Sequence, residues 1–191
     1  MRTEAGRPRN RGIDDAVLRA TVELLGECSY AELSVDAIAV RAGTSKPAIY
    51  RRWRGKAHLV HEAVFPITAT TALPQTGALD GDVREMLRRT LSVLSTPAAL
   101  AALPGLVGEM ASDPTLHTVL LERFDDVLAR GLADYLESAR QRGVIRSGVS
   151  ATEVAEAVAG MTFLALLTRG AELDEAWIER TALLITKGVS R

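Results

Sequence analysis

The sequence predicts an all-α protein in two parts, a small helix-turn-helix head followed by a larger helical bundle. Three observations predict it. Ala and Leu dominate while aromatic residues make up only 4% of 191 positions, a balance that favours helix. Apolar residues recur at i, i+3, i+4 spacing, and alternating β-branched runs closed by Asn-Gly turns are missing. The charge also divides. Residues 1–61 hold eleven basic and seven acidic side chains, a net of +4, whereas residues 62–191 hold twelve and seventeen, a net of −5.

The elements follow in order. Ile13, Ala16, Val17, Ala20 and Leu24 form one stripe of a first helix, Ile13–Leu25. Ser34 caps a second, which carries Val35, Ile38, Ala39 and Ala42 and stops at Gly43. Thr44-Ser45 caps a third, Lys46–Trp53, with Pro47 tolerated in its first turn. A fourth runs from Lys56 to about Val64. Residues Pro66–Gly81 read as a linker, rich in Pro and Gly. Beyond it the spacing predicts helices over Asp82–Leu94, Ala98–Leu103 and Leu106–Ala111, the last two separated by Pro104-Gly105. Asp113-Pro114 opens a long helix to Arg142. Ser150 caps a helix to Thr168, and Asp174 caps Glu175–Lys187, ended by Gly188.

Composition excludes several classes. Hydrophobic residues are 47% and charged residues 25%, which is not the balance of a disordered chain. Cys28 stands alone, so a disulfide scaffold is excluded. No apolar segment follows the basic N-terminus, so no secretory signal is expected. The stretch Val154–Leu167 is shorter than the roughly 20 residues of a membrane helix, so no membrane partner is expected. His58, His61 and His117 are scattered, and no metal site or cofactor is expected. No phosphate-binding loop or nucleophile elbow is present, and an enzyme is not expected.

The informative stretch is Ser34–Lys56, two short helices joined by a tight turn at Gly43. The span 41–61 holds Arg41, Lys46, Arg51, Arg52, Arg54 and Lys56 and no acid. Ile49 and Trp53 would anchor the second of these helices, leaving Lys46, Pro47, Ala48, Tyr50, Arg51 and Arg52 outward. That partition suits a helix entering the major groove of double-stranded DNA. Pro47 and Ala48 are small enough to meet thymine methyls, and Lys46 can reach guanine. The backbone N–H groups of Ser45 and Lys46 would point at phosphate.

Ala42-Gly43-Thr44-Ser45-Lys46-Pro47-Ala48-Ile49-Tyr50-Arg51-Arg52-Trp53-Arg54-Gly55-Lys56 resembles the DNA-binding signature of the TetR (tetracycline-repressor) family. The likeness covers about residues 12–62, a third of the chain. It implies a basic arm over 1–11, a DNA-binding domain over 12–62 and a regulatory, dimer-forming domain over 63–191. It further implies a bacterial, cytoplasmic repressor that binds a palindromic operator as a homodimer and is released by a small molecule. A DNA-binding regulator with no small-molecule inducer stays open beside it. By position, Lys46, Pro47, Ala48 and Tyr50 would face the groove, and Ser34, Thr44, Arg51, Arg52 and Lys56 the DNA backbone. The sequence departs from the pattern at Asp36, where some relatives carry a base-reading arginine. An acid there cannot make that guanine contact and would repel phosphate, unless it serves Arg41 or its own helix N-terminus. Arg52 stands where many relatives have histidine.

An effector pocket would draw on Met86, Leu106, Met110, His117, Phe124 and Phe163, although each taken singly reads first as ordinary core. That set suits an apolar or weakly polar ligand. Val158, Met161, Thr162, Ala165 and Leu166, with Trp177, Thr181 and Leu184, would form the dimer surface; an intramolecular core is the alternative.

Overall fold

The computed structural model describes residues 11–66, 76–116, 118, 130–170 and 173–190. The head consists of α1 (Arg11–Leu25), α2 (Val35–Arg41), α3 (Lys46–Tyr50) and α4 (Lys56–Val64). Among the described residues the body holds α5 (Leu79–Leu94), α6 (Pro97–Ser112), α7 (Arg130–Gln141), α8 (Ala151–Arg169) and α9 (Glu175–Val189). Among the described residues there is no strand, only an isolated antiparallel bridge between Ile145 and Ser190.

The helix starts follow the caps in the sequence. Ser34 Oγ accepts from the Ala37 N–H at 3.1 Å. Ser150 and Glu153 satisfy each other's backbone N–H in a capping box. Asp174 accepts from the Trp177 N–H at 2.8 Å.

Several boundaries move. Arg11 lies in α1 rather than in the basic arm, whose other residues lie outside the described ones. The third helix ends at Tyr50, with Trp53 beyond it. Gly81 lies inside α5, and Gly188 inside α9. The two short helices expected around Pro104-Gly105 are one, α6. The long helix expected from Pro114 to Arg142 crosses residues 117 and 119–129, outside the described ones; α7 is its last part.

Among the described residues two hydrophobic clusters form, and they do not divide where the chain does. The first joins Val17, Ile38, Ile49, Leu59 and Val60 of the head to Ala99, Ala102 and Leu106 of α6. So α6, although it follows the linker, closes the core of the head against α1 and α4. The second joins Val83 and Leu87 of α5, Leu136 of α7, Val158 of α8 and Ile178 and Ile185 of α9. By length and composition α8 is apolar enough to cross a membrane. Its Val154, Val158, Thr162, Ala165 and Leu166 are buried instead against the rest of the body.

Tyr30, in the loop after α1, fastens the head to α6. Its N–H donates to the Ala101 carbonyl at 3.3 Å. Its ring fills the space over Gly105: a Cβ there would fall 2.1 Å from Tyr30 Cδ1. Lys56 Nζ lies 4.1 Å from the centroid of that ring and donates to the Tyr30 carbonyl at 3.0 Å. Burial, and then the Glu109 carboxylate, hold the phenol well above its ordinary pKa.

A second tie fixes the start of the body. Asp82 is buried, and its carboxylate accepts from Tyr135 Oη at 2.7 Å, the Thr76 N–H at 2.6 Å and Thr76 Oγ1 at 2.9 Å. Three donors offset the desolvation of that charge.

Candidate nucleic-acid interface

The turn between α2 and α3 explains its glycine. The Gly43 N–H donates to the Val40 carbonyl at 3.2 Å and the Thr44 N–H to the Ala39 carbonyl at 2.9 Å. This closure needs a left-handed residue, and Gly43 has φ +64°. Ser45 then starts α3 without a side-chain cap bond.

Ile49 and Trp53 anchor α3 as expected, at 1% and 3% exposure. Trp53 Nε1 also donates to Glu62 Oε2 at 3.1 Å. Lys46, Pro47, Tyr50 and Arg51 are exposed. Ser34 is exposed with its hydroxyl in the α2 cap, and Thr44 is half-buried.

Three residues expected to face outward are held against the protomer instead. Ala48 is buried at 6% exposure, because it lies beside Ile49 on the packed side of a five-residue helix. Arg52 is half-buried and forms an ion pair with Asp14 of α1; its guanidinium also donates to the Ala48 carbonyl at 3.0 Å. Lys56 is turned onto Tyr30 rather than outward.

The acid-free basic span is therefore compensated by acids from outside it. Arg41 donates through both terminal nitrogens to Glu27, each at 2.9 Å, with Glu23 at 3.7 Å. The Glu27 pair raises the arginine's pKa and lowers that of the glutamate. Asp36 serves neither Arg41 nor the helix end alone: its Oδ2 accepts from Lys46 Nζ at 2.7 Å. That bond raises the lysine's pKa. Among the described residues, Arg51 and Arg54 are exposed and in no ion pair. These partners are 10, 14 and 38 positions away, so only the expected packing of α1, α2 and α3 could have signalled them.

The residues suggested for an effector pocket are not brought together. Met86 belongs to the body core and Leu106 to the core of the head. Met110 is half-buried. Phe163 lines a cleft of about 30 Å³ with Leu100, Leu103, Pro104, Leu166 and Leu167. His117 and Phe124 lie outside the described residues. A larger groove, about 460 Å³, runs between α5 and α9. It is charged rather than apolar, and Arg84, Arg88 and Arg89 in it are paired with Glu179 and Glu85.

Much of the suggested dimer surface faces inward. Val158, Thr162, Ala165, Leu166, Trp177 and Thr181 are buried within the protomer, and Met161 is half-buried. Leu184 is 61% exposed. Leu164, Leu167 and Leu183 share its exposure on α8 and α9.

Comparison with known proteins decides the family. Residues 17–63 match "Bacterial regulatory proteins, tetR family", and residues 73–185 match "Tetracyclin repressor-like, C-terminal domain". The chain belongs to the TetR family. It is 30% identical to the HTH-type transcriptional regulator YdeS of Bacillus subtilis, over 99% of this chain and 96% of that one. It is 32% identical to the DNA-binding transcriptional repressor TetR of Mycobacteroides abscessus, over 86% and 87% of the two chains. Its fold matches the crystal structure of the TetR family transcription regulator SCO0332 with a TM-score of 0.71, at 26% identity, over 94% and 99%. This TetR-family chain is a DNA-binding helix-turn-helix regulator of transcription and not an enzyme.

Proposed function

We propose that the chain is a repressor that binds a palindromic operator as a homodimer in the bacterial cytoplasm and lets go when a small apolar or weakly polar molecule binds its body. The presentation of α3 carries the DNA part. Lys46, Pro47, Tyr50 and Arg51 stand outward on a helix held from behind by Ala48, Ile49 and Trp53, the partition a groove-reading helix needs. Ser34 and Ser45 at the N-caps of α2 and α3, with Thr44, would lie against the DNA backbone.

The homodimer rests on the apolar face of Leu164, Leu167, Leu183 and Leu184. Two copies meeting there by a two-fold axis would form a four-helix contact and match a palindrome. Repression draws support from the M. abscessus repressor it resembles.

A second reading is a DNA-binding regulator with no small-molecule inducer; among the described residues the cleft between α6 and α8 is small. About 30 Å³ is room for roughly one water.

The test is fluorescence anisotropy with the DNA upstream of the protein's own gene, against a scrambled duplex, at 50 and 200 mM salt. With roughly 6–10 phosphate contacts per dimer, affinity should fall about 10³–10⁵-fold between them. Equal, weak binding to both duplexes would sink the operator reading. A thermal-shift screen of small apolar compounds separates the two readings of the body.

A further inference from the structure

The Asp36–Lys46 pair is chemically unusual for a surface that meets a polyanion. Asp36 lies in the first turn of α2 and Lys46 opens α3. Both are well exposed, at 68% and 45% of their side chains, and Oδ2 stands 2.7 Å from Nζ. A carboxylate there is repelled by phosphate and offsets the lysine's charge at any backbone contact.

What the pair offers instead is a donor set beside an acceptor. A lone ammonium satisfies any acceptor in the major groove, whether guanine O6 and N7, adenine N7 or thymine O4. An ammonium with a carboxylate at its side also requires a donor next to that acceptor. A G·C pair shows this order, with guanine N7 and O6 as acceptors and the cytosine N4 amino group as donor. O6 and N4 are hydrogen-bonded to each other at about 2.9 Å, close to the separation of Nζ and Oδ2. An A·T pair places thymine O4 beside adenine N6 but gives the ammonium one acceptor instead of two.

We propose that Asp36 and Lys46 act as one specificity-determining unit that reads a G·C base pair, the ammonium on guanine and the carboxylate on the cytosine amino group. This rests on α3 entering the major groove. Asp36 then contributes selectivity rather than affinity: its carboxylate reaches an amino donor while the ammonium holds two adjacent acceptors only on a G·C pair, because an A·T pair sets its donor between its two acceptors.

The test is selection from a randomised duplex library with the full-length protein, followed by sequencing of the bound fraction. Wild type, Lys46→Ala, Asp36→Ala and Asp36→Asn are compared, with circular dichroism as a check of folding. Wild type should enrich a motif with a G·C pair at one position of each half-site. Lys46→Ala and both Asp36 variants should relax that same position, each lowering the preference there by about 10-fold or more, and leave the rest of the motif intact. Asp36→Ala that raises affinity for every duplex without changing base preference would overturn the proposal. So would effects of the two residues at different positions, or an A·T pair at the shared one. A wild-type protein that enriches no motif would overturn the operator reading itself, and the proposal with it.

Discussion

Tyr30 occupies the space that a side chain on Gly105 would need. With Tyr30 Cδ1 only 2.1 Å from where a Cβ would stand, that glycine is a seat for the ring. The contact joins a loop of the head to a helix of the body.

Gly105→Ala should therefore destabilise the protein. In an open helix the same change would stabilise it by about 0.5–1 kcal/mol. Here the methyl must displace an aromatic ring, and overpacking of this kind costs roughly 1–3 kcal/mol. Urea unfolding reads the sign. Combined with Tyr30→Ala, the glycine change should cost less than it does alone, because the ring is no longer there to clash.

Asp82→Ala removes the acceptor for Tyr135 Oη and both donors of Thr76. It should lower stability by about 1–3 kcal/mol, more than Tyr135→Phe, which leaves the two Thr76 bonds in place. Calorimetric Tm values of the two variants give the order. A larger loss for Tyr135→Phe would contradict the role given to the carboxylate.

Alkaline pH should loosen the fold at two tyrosines. Burial raises the phenols of Tyr30 and Tyr135 above their ordinary value of 10.0, assisted by Glu109 and Asp82 respectively. A group whose folded pKa is raised contributes stability that is complete below the unfolded value and lost as pH rises beyond it. Stability should fall as pH climbs past about 10, and Tyr135→Phe should make that fall shallower. Denaturant midpoints at pH 8 to 11 give the slope.

Arg51 and Arg52 are neighbours with opposite expectations. Arg51→Ala should leave stability within about 0.5 kcal/mol and reduce the salt slope of DNA binding by roughly one phosphate. Arg52→Ala strands Asp14, whose side chain is 29% exposed, and should cost about 1–3 kcal/mol before any DNA is added. Paired unfolding and binding titrations separate the two.

Leu164→Glu with Leu184→Glu should make the protein a monomer and weaken operator binding while leaving its helical signal unchanged. Both side chains are largely exposed in the protomer, at 60% and 61%. Sedimentation velocity gives the oligomeric state. A wild-type monomer at micromolar concentration would refute the proposed dimer surface.

The helices of the head were legible because their signals are local: Ser34 as a cap, Gly43 as a stop, Ile49 and Trp53 four residues apart. The ion pairs were not, because they depend on how α1 and α2 pack against α3. Without that packing, Arg52 reads as an outward cation. The continuity of α6 was hidden for a similar reason. Pro104-Gly105 is a strong local break, but the Tyr30 ring seats there and the packing overrides propensity. Which face of α8 turns outward is not legible, because beyond Glu153 and Glu156 the helix is largely apolar around its circumference. Periodicity then says that it is buried somewhere, not which side meets its own protomer.

The placement of α6 in the head's core bears on how such regulators are assembled from parts. The linker invites recombination, yet a head cut there would leave without Ala99, Ala102 and Leu106, one wall of its interior. A chimaera that joins this reader to another sensor would need to carry α6 across as well, or to meet a helix in the new body with a notch where Tyr30 can rest. In this chain head and body are a fitted pair, and a junction drawn at the linker would separate them in the wrong place.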